Sequence, residues 1–139
     1  MSDTVACLFC KIARREVPAS VVREDEETVA FLDIYPHAPG HTLVVPRFHC
    51  ATLRELPNET VAPLFRAVKE VAALLVERLG AKGLTVGINE GKVAGQAVDH
   101  MHVHLMPRFE GDGGGSVHGV VKNPPKEPLE EILEKLRKI

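Results

Sequence analysis

Three imidazoles stand at alternate positions in the run His100-Met101-His102-Val103-His104, interleaved with apolar side chains that continue at Leu105. Period-two alternation fits one β-strand, which turns the three histidines to one face and Met101, Val103 and Leu105 to the other. Neighbouring imidazoles on such a strand start from backbone positions roughly 6.5 Å apart. A row of groups that titrate near neutrality can act as nucleophile, as acid and base, or as metal ligands.

Two chemistries compete for this row, beside a bland reading in which the histidines only hydrogen-bond one another. His-x-His on a strand is a common way to hold catalytic zinc. Within the row, however, no Asp or Glu stands two or four residues away to complete a metal triad. Just upstream, Asn89, Gly91, Gly95 and Gln96 supply amides, small residues and backbone N–H groups, which suit phosphate oxygens better than a metal shell. Nucleophilic attack on phosphorus needs a neutral imidazole with one nitrogen free and the other held by an acceptor. Flanking histidines can then donate to the non-bridging oxygens, so three in line can divide the work without a metal at the reacting centre.

A second cluster is Cys7-x-x-Cys10 with the distant His49 and His100. Two thiolates at that spacing form half of a tetrahedral zinc site, and two histidines can complete it. The same pair also reads as two buried free thiols. A redox pair is a third reading, although the strand that runs into thioredoxin-like motifs is missing here. Spacing alone leaves these open.

The elements that must position these groups are legible in outline. Cys7 to Ile12 opens a short helix that stops before Pro18, and Val21–Glu24 with Thr28–Leu32 forms a hairpin across the acidic turn 25–27. Pro36, Pro39 and Gly40 force a loop before a third strand, His41–Pro46. A long helix follows, capped by Asn58 or Thr60, with Pro63 in its first turn and Gly80 at its end. Its Val61, Leu64, Phe65, Val68, Val71, Ala72, Leu75 and Leu79 recur at helical spacing, which predicts one broad buried face. Leu84–Asn89 reads as a fourth strand and Met101–Pro107 as a fifth, flanked by turn-rich segments at 90–95 and 111–115. Glu127–Lys138 reads as a closing helix with Leu129, Ile132, Leu133 and Leu136 inward. Its Glu131–Lys135 and Glu134–Lys138 pairs are solvated and worth about 0.3 kcal/mol each. The class is α+β in a single domain over 1–139.

Composition narrows the partners. With 139 residues, 45% hydrophobic and 26% charged, the chain suits one domain with a modest core. A formal charge of −2 and the lack of a basic block argue against a nucleic-acid surface. No apolar stretch approaches the ~20 residues of a membrane span. Met1-Ser2-Asp3-Thr4 lacks the order of a secretory signal, and three cysteines do not make a disulfide framework. The expectation is a soluble cytoplasmic protein.

The combined motifs resemble those of the histidine-triad (HIT) nucleotide hydrolases and transferases. The resemblance runs over about residues 5–110. It is carried by Cys7-Leu8-Phe9-Cys10-Lys11-Ile12, Ala30-Phe31-Leu32-Asp33, Ala38-Pro39-Gly40-His41-Thr42-Leu43-Val44-Val45-Pro46, Gly95-Gln96 and His100 to Pro107. It implies a HIT-like fold, with a five-stranded antiparallel sheet, one long helix and short terminal helices, assembled as a homodimer. It implies that His102 is the nucleophile forming a covalent nucleotidyl-histidine, that His104 steadies the phosphate and that His41 supports the triad. Asn89, Gly95 and Gln96 would line the phosphate site, and Asp33 would bind the ribose. Leu8, Phe9, Ile12 and Phe31 would form the cleft for a purine base. In cysteine-bearing microbial members a structural zinc takes the positions that are Cys7, Cys10, His49 and His100 here, one ion per chain. The implied reaction is cleavage at the α-phosphate of a purine nucleotide conjugate such as a nucleoside phosphoramidate, releasing nucleoside monophosphate.

The chain departs from the phosphoramidase branch at two places. Ala97 stands where that branch commonly carries a Ser or Thr hydroxyl near the leaving group, and there is no tryptophan-containing tail. Pro107-Arg108 is similar to the ending of the dinucleoside-polyphosphate-hydrolysing branch, so Arg108 is either a polyphosphate ligand or a surface ion pair. Dinucleoside polyphosphate hydrolysis and a nucleotide-binding interaction protein with weak catalysis are the alternatives. Cys50 reads as a buried thiol beside the zinc ligand, and His37 and His118 as loop residues.

Overall fold

The computed structural model describes residues 6–138, so the expectation at Met1 to Thr4 lies outside the described residues. Five antiparallel strands form one sheet: β1 (Val21–Glu24), β2 (Thr28–Leu32), β3 (Thr42–Pro46), β4 (Gly83–Gly87) and β5 (Val103–Arg108), in the order β1-β2-β3-β5-β4. Three helices, α1 (Leu8–Ala13), α2 (Asn58–Leu79) and α3 (Leu129–Arg137), complete the α+β architecture read from the sequence. No helix among the described residues is long and apolar enough to cross a membrane.

Alternation along the strands sorts side chains onto two faces. Ala30, Val44, Val103 and Leu105 turn to α2 and join Leu64, Ala67, Val68, Val71 and Leu75 in one core. Val29, Phe31, Leu43 and Val45 turn the other way and meet Phe9, Ile12 and Ala13 of α1 in a second. In the register His104 lies opposite Leu43, so its imidazole sits on the α1 face of the sheet. The short helix α1, rather than the long one, therefore roofs the functional residues.

The structure corrects several expectations. β5 begins at Val103, so His100 and His102 precede the strand and only His104 lies within it. Their alternation persists because Met101 N–H bonds Cys50 O at 2.7 Å, which keeps the approach to the strand extended without sheet pairing. β4 stops at Gly87, leaving Asn89 in the following loop. Pro57 holds the N-cap of α2, with no side-chain cap from Asn58 or Thr60, so Pro63 falls in the second turn. Val61, Phe65 and Leu79 are exposed with Val76, because the apolar arc of α2 is wider than the strip the sheet covers. The leucines of α3 do not face inward: none of its residues is buried, and Leu129 and Leu136 are 75% and 77% exposed. Lys135 pairs with Glu127 at 3.7 Å in place of Glu131.

The loop into β3 depends on Gly40. Its φ is +87°, and a Cβ there would stand 2.4 Å from Leu79 Cδ1 and 3.1 Å from Leu75 Cδ2. The Gly40→Ala variant is expected to lose about 1–3 kcal/mol of stability, through left-handed backbone strain and overpacking against α2. Urea unfolding of the two proteins measures it, and equal midpoints would refute this role.

Candidate functional site

The histidines of the α1 face fall into two groups that share His100 and His102 as neighbours. In the first, His102 Nδ1–H donates to the carbonyl of His100 at 2.7 Å. That bond fixes the proton on Nδ1 and leaves Nε2 as a lone pair, the form a nucleophile requires. The His102 ring is buried against Phe9, edge to face at 5.1 Å, and stands 5.0 Å from the ring of His104.

A relay of protons can be read from the hydrogen bonds behind it. The backbone N–H of His37 donates to His41 Nδ1 at 3.1 Å, so neutral His41 carries its proton on Nε2. That Nε2–H donates to His104 Nδ1 at 3.0 Å, which puts the proton of His104 on its Nε2. His104 can thus offer an N–H donor beside the lone pair of His102. Burial pushes His41, His102 and His104 below the ordinary histidine range, His104 down to about 4 with the neighbouring His102 and His41 adding to the effect. All three are neutral at pH 7, as these tautomers require.

Asp33 Oδ1 accepts the N–H of Tyr35 at 2.9 Å, while Oδ2 lies 3.6 Å from His41 Nε2, beyond hydrogen-bond range. Asp33, His41 and His104 bring three potential metal donors within 4.8 Å of one another. The tautomer chain opposes a metal there, since His41 Nε2 bears the proton and His104 Nδ1 accepts it. Within the histidine row, His104 therefore has no free nitrogen to give a metal, since its Nδ1 accepts this bond and its Nε2 bears the proton.

The second group is Cys7, Cys10, His49 and His100. His100 Nε2–H donates to Pro46 O at 2.8 Å, so its Nδ1 is free of a proton. That Nδ1 lies 3.4 Å from Cys7 Sγ, 3.5 Å from Cys10 Sγ and 3.3 Å from His49 Nδ1, while Cys10 Sγ is 3.2 Å from His49 Nδ1. Tetrahedral zinc holds nitrogen and sulfur donors at about 2.0–2.3 Å, which places neighbouring donors about 3.3–3.8 Å apart. The donor set and its spacing fit zinc. Burial, with the neighbouring Cys7, pushes the Cys10 thiol up to about 11, and burial brings His100 down to about 4. His49 Nε2 is buried with no hydrogen-bond partner, the one orphaned side-chain polar atom among the described residues.

Other residues singled out in the sequence take clear places. Phe9, Ile12 and Phe31 are buried in the α1 core, whereas Leu8 is 43% exposed and offers most of the open apolar surface of the four. Asn89 and Gly95 are exposed in the loop after β4. Gln96 spends its amide within the protein: Oε1 accepts Gly91 N–H at 2.8 Å, and Nε2 donates to Ala51 O at 2.7 Å and Val98 O at 3.0 Å. Its contribution is to close and anchor the 91–96 loop rather than to point at a ligand. Arg108 is held by Asp112 at 2.8 Å and by Thr85 Oγ1 at 3.1 Å, as an ion pair on the surface. The groups that sequence reasoning missed are mostly backbone ones, the N–H of His37 and the carbonyls of Pro46, Cys50, Ala51 and His100, which carry no side-chain signature.

Fold and site together define a histidine-rich α+β domain in which a buried imidazole with a free Nε2 stands beside a hydrogen-bonded pair of histidines. Residues 14–111 match the HIT domain, and the chain belongs to that family. It is 44% identical over 131 residues to an uncharacterized HIT-like protein of Methanocaldococcus jannaschii, covering 94% of this chain and 98% of that one. It is 36% identical over 133 residues to the adenosine 5′-monophosphoramidase of Saccharomyces cerevisiae, covering 96% and 79%. Among solved structures, a zinc-bound histidine triad family protein from Mycobacterium smegmatis superposes with a TM-score of 0.75 at 40% identity, covering 80% of this chain and 81% of that one.

The depressed histidines make stability depend on pH. Because His104 titrates about 4 in the fold and about 6.5 when unfolded, the unfolded chain binds more protons between those values. This contribution is complete above pH 6.5 and is lost as pH falls toward 4. The His104→Gln variant is expected to flatten the fall in a series of urea midpoints between pH 7 and 4, and parallel curves would contradict the assignment.

Proposed function

We propose that the protein is a nucleotide hydrolase or transferase that cleaves at the α-phosphate of a purine nucleotide conjugate through a nucleotidyl group on His102. The single observation that carries this reading is the His102 Nδ1–H bond to His100 O, which aims an unprotonated Nε2 from a buried, neutral ring. Membership of the HIT domain family and similarity to the yeast phosphoramidase support it.

In the first step His102 Nε2 attacks the phosphorus in line, a P–N bond forms, and the bond to the conjugate breaks with its electron pair leaving on the departing group, which takes up a proton from solvent. His104 Nε2–H donates to a non-bridging oxygen as charge builds there, and His41 holds His104 in the donating tautomer. In the second step water opens the P–N bond, releasing nucleoside monophosphate and restoring neutral His102. Asp33 Oδ2, left over from the Tyr35 N–H bond, takes the ribose hydroxyls. Leu8, with the edges of Phe9, Ile12 and Phe31, meets the base. Asn89, Gly95 and the loop closed by Gln96 border the phosphate.

Cys7, Cys10, His49 and His100 would hold one structural zinc ion. Bound there, it supplies a cross-link between α1, the segment after β3 and the start of the triad, and no step of the reaction passes through it. The protein works as a homodimer in the cytoplasm, with the exposed Val61, Phe65, Val76 and Leu79 of α2 available to a second copy. No nucleic acid or membrane takes part.

Two measurements test this reading. AMP release from adenosine 5′-phosphoramidate and from diadenosine tetraphosphate is expected chiefly from the former, and His102→Ala should reduce it more than about a thousandfold with the fold kept. A His102→Ala protein retaining most activity would overturn the mechanism. Metal analysis is expected to find one zinc per chain, and its removal by a strong chelator should lower Tm by more than about 10 °C. Metal-free protein of unchanged Tm would refute the structural role.

A further inference from the structure

His100 belongs to both clusters at once. Its side chain gives Nε2–H to Pro46 O and turns Nδ1 to Cys7, Cys10 and His49. Its main-chain carbonyl, two bonds from the same Cα, accepts Nδ1–H from His102 at 2.7 Å. One residue thus places a ring among the four donors and a carbonyl that sets the tautomer of His102.

Two further ties run in parallel. Phe9, which lies between the two cysteines on α1, sets its ring edge to face against both His100 and His102, with centroids 5.9 and 5.1 Å apart. On the other side, the residues that follow His49 hold both catalytic segments by their carbonyls. Cys50 O accepts Met101 N–H at 2.7 Å, and Ala51 O accepts Gln96 Nε2–H at 2.7 Å. Gln96 Oε1 then closes the 91–96 loop on Gly91 N–H. The three pieces of chain that carry the four donors, namely α1 with its N-cap Cys7, the segment at 49 and His100, thus each reach the nucleophile or the phosphate loop by a direct contact.

We infer that the Cys7, Cys10, His49 and His100 cluster acts on the reaction as well as on the fold, with His100 and Gln96 as positioning residues. Closed on a divalent ion, the four donors hold the His100 carbonyl against His102, and Gln96 carries the same constraint to the phosphate loop. A cross-link that served the fold alone would stabilise the domain and leave the nucleotide site indifferent to it. Coupling between two sites is reciprocal, so nucleotide at His102 must be felt at the metal donors. The inference rests on the nucleotide reading given above.

The test loads the protein with Co2+, whose d–d absorption reports the ligand field of a thiolate–imidazole site, and titrates AMP into it while calorimetry follows binding in parallel. The expected result is a cobalt band that shifts with the same midpoint as the calorimetric titration. Gln96→Leu, which keeps all four donors, is expected to lose about tenfold in kcat with the cobalt band of the AMP-free protein unchanged, and to show a smaller AMP-induced shift. AMP that binds by calorimetry while the cobalt band stays fixed would overturn the coupling and leave the functional reading intact. Failure of AMP to bind at all would overturn the functional reading itself. A protein that develops no tetrahedral cobalt band would overturn the four-donor site.

Discussion

The hydrogen bond from His102 Nδ1 to the carbonyl of His100 is the constraint around which the rest of the site is arranged. A neutral imidazole can carry its proton on either nitrogen, and only one choice leaves Nε2 free to attack. A backbone carbonyl makes that choice permanently, because it accepts and never donates. The surrounding structure keeps the carbonyl in place: Met101 bonds Cys50, the His100 ring bonds Pro46, and Phe9 packs on both rings. Burial adds the second requirement, since desolvation holds the ring neutral where an exposed histidine would be partly charged.

The sheet divides two kinds of work between its faces. On one, α2 and the residues of β2, β3 and β5 that point to it form an apolar core that also holds the Cys50 thiol, which burial pushes up. On the other, α1 covers a smaller apolar cluster and the histidines come to rest at its margin. This separation lets the polar groups satisfy one another in a chain from His37 N–H through His41 to His104, without opening the main core to water. The strip of α2 beyond the reach of the sheet, Val61, Phe65, Val76 and Leu79, is left for a neighbour, as the proposed homodimer requires.

How much of this was legible in the sequence follows from where each property resides. The five strands and three helices declared themselves through periodicity and breakers, and the His and Cys motifs named both clusters. The limits of β5 did not, because Met101 keeps its extended form by bonding a loop carbonyl that no pattern advertises. The helical spacing of Val61, Phe65 and Leu79 marks an apolar face but does not say whether the sheet or another molecule covers it. The leucines of α3 misled for the same reason: an amphipathic stripe states a preference for burial, while none of the residues of α3 is buried. Gln96 reads in the sequence as lining a phosphate site, whereas its bonds to the carbonyls of Ala51 and Val98, which make it the clamp of a loop, have no sequence signature. Tautomers were beyond reach altogether, since each depends on a backbone group brought from elsewhere in the fold.

The most direct test of the central claim is to trap the covalent intermediate. Protein mixed with adenosine 5′-phosphoramidate and quenched within milliseconds would be digested and its peptides weighed. The account predicts the added mass of one adenylyl group on the peptide containing His102, localised to that residue and absent from the His102→Ala protein. An adduct on His100 or His104, or AMP release at full rate with no adduct at any histidine, would contradict it.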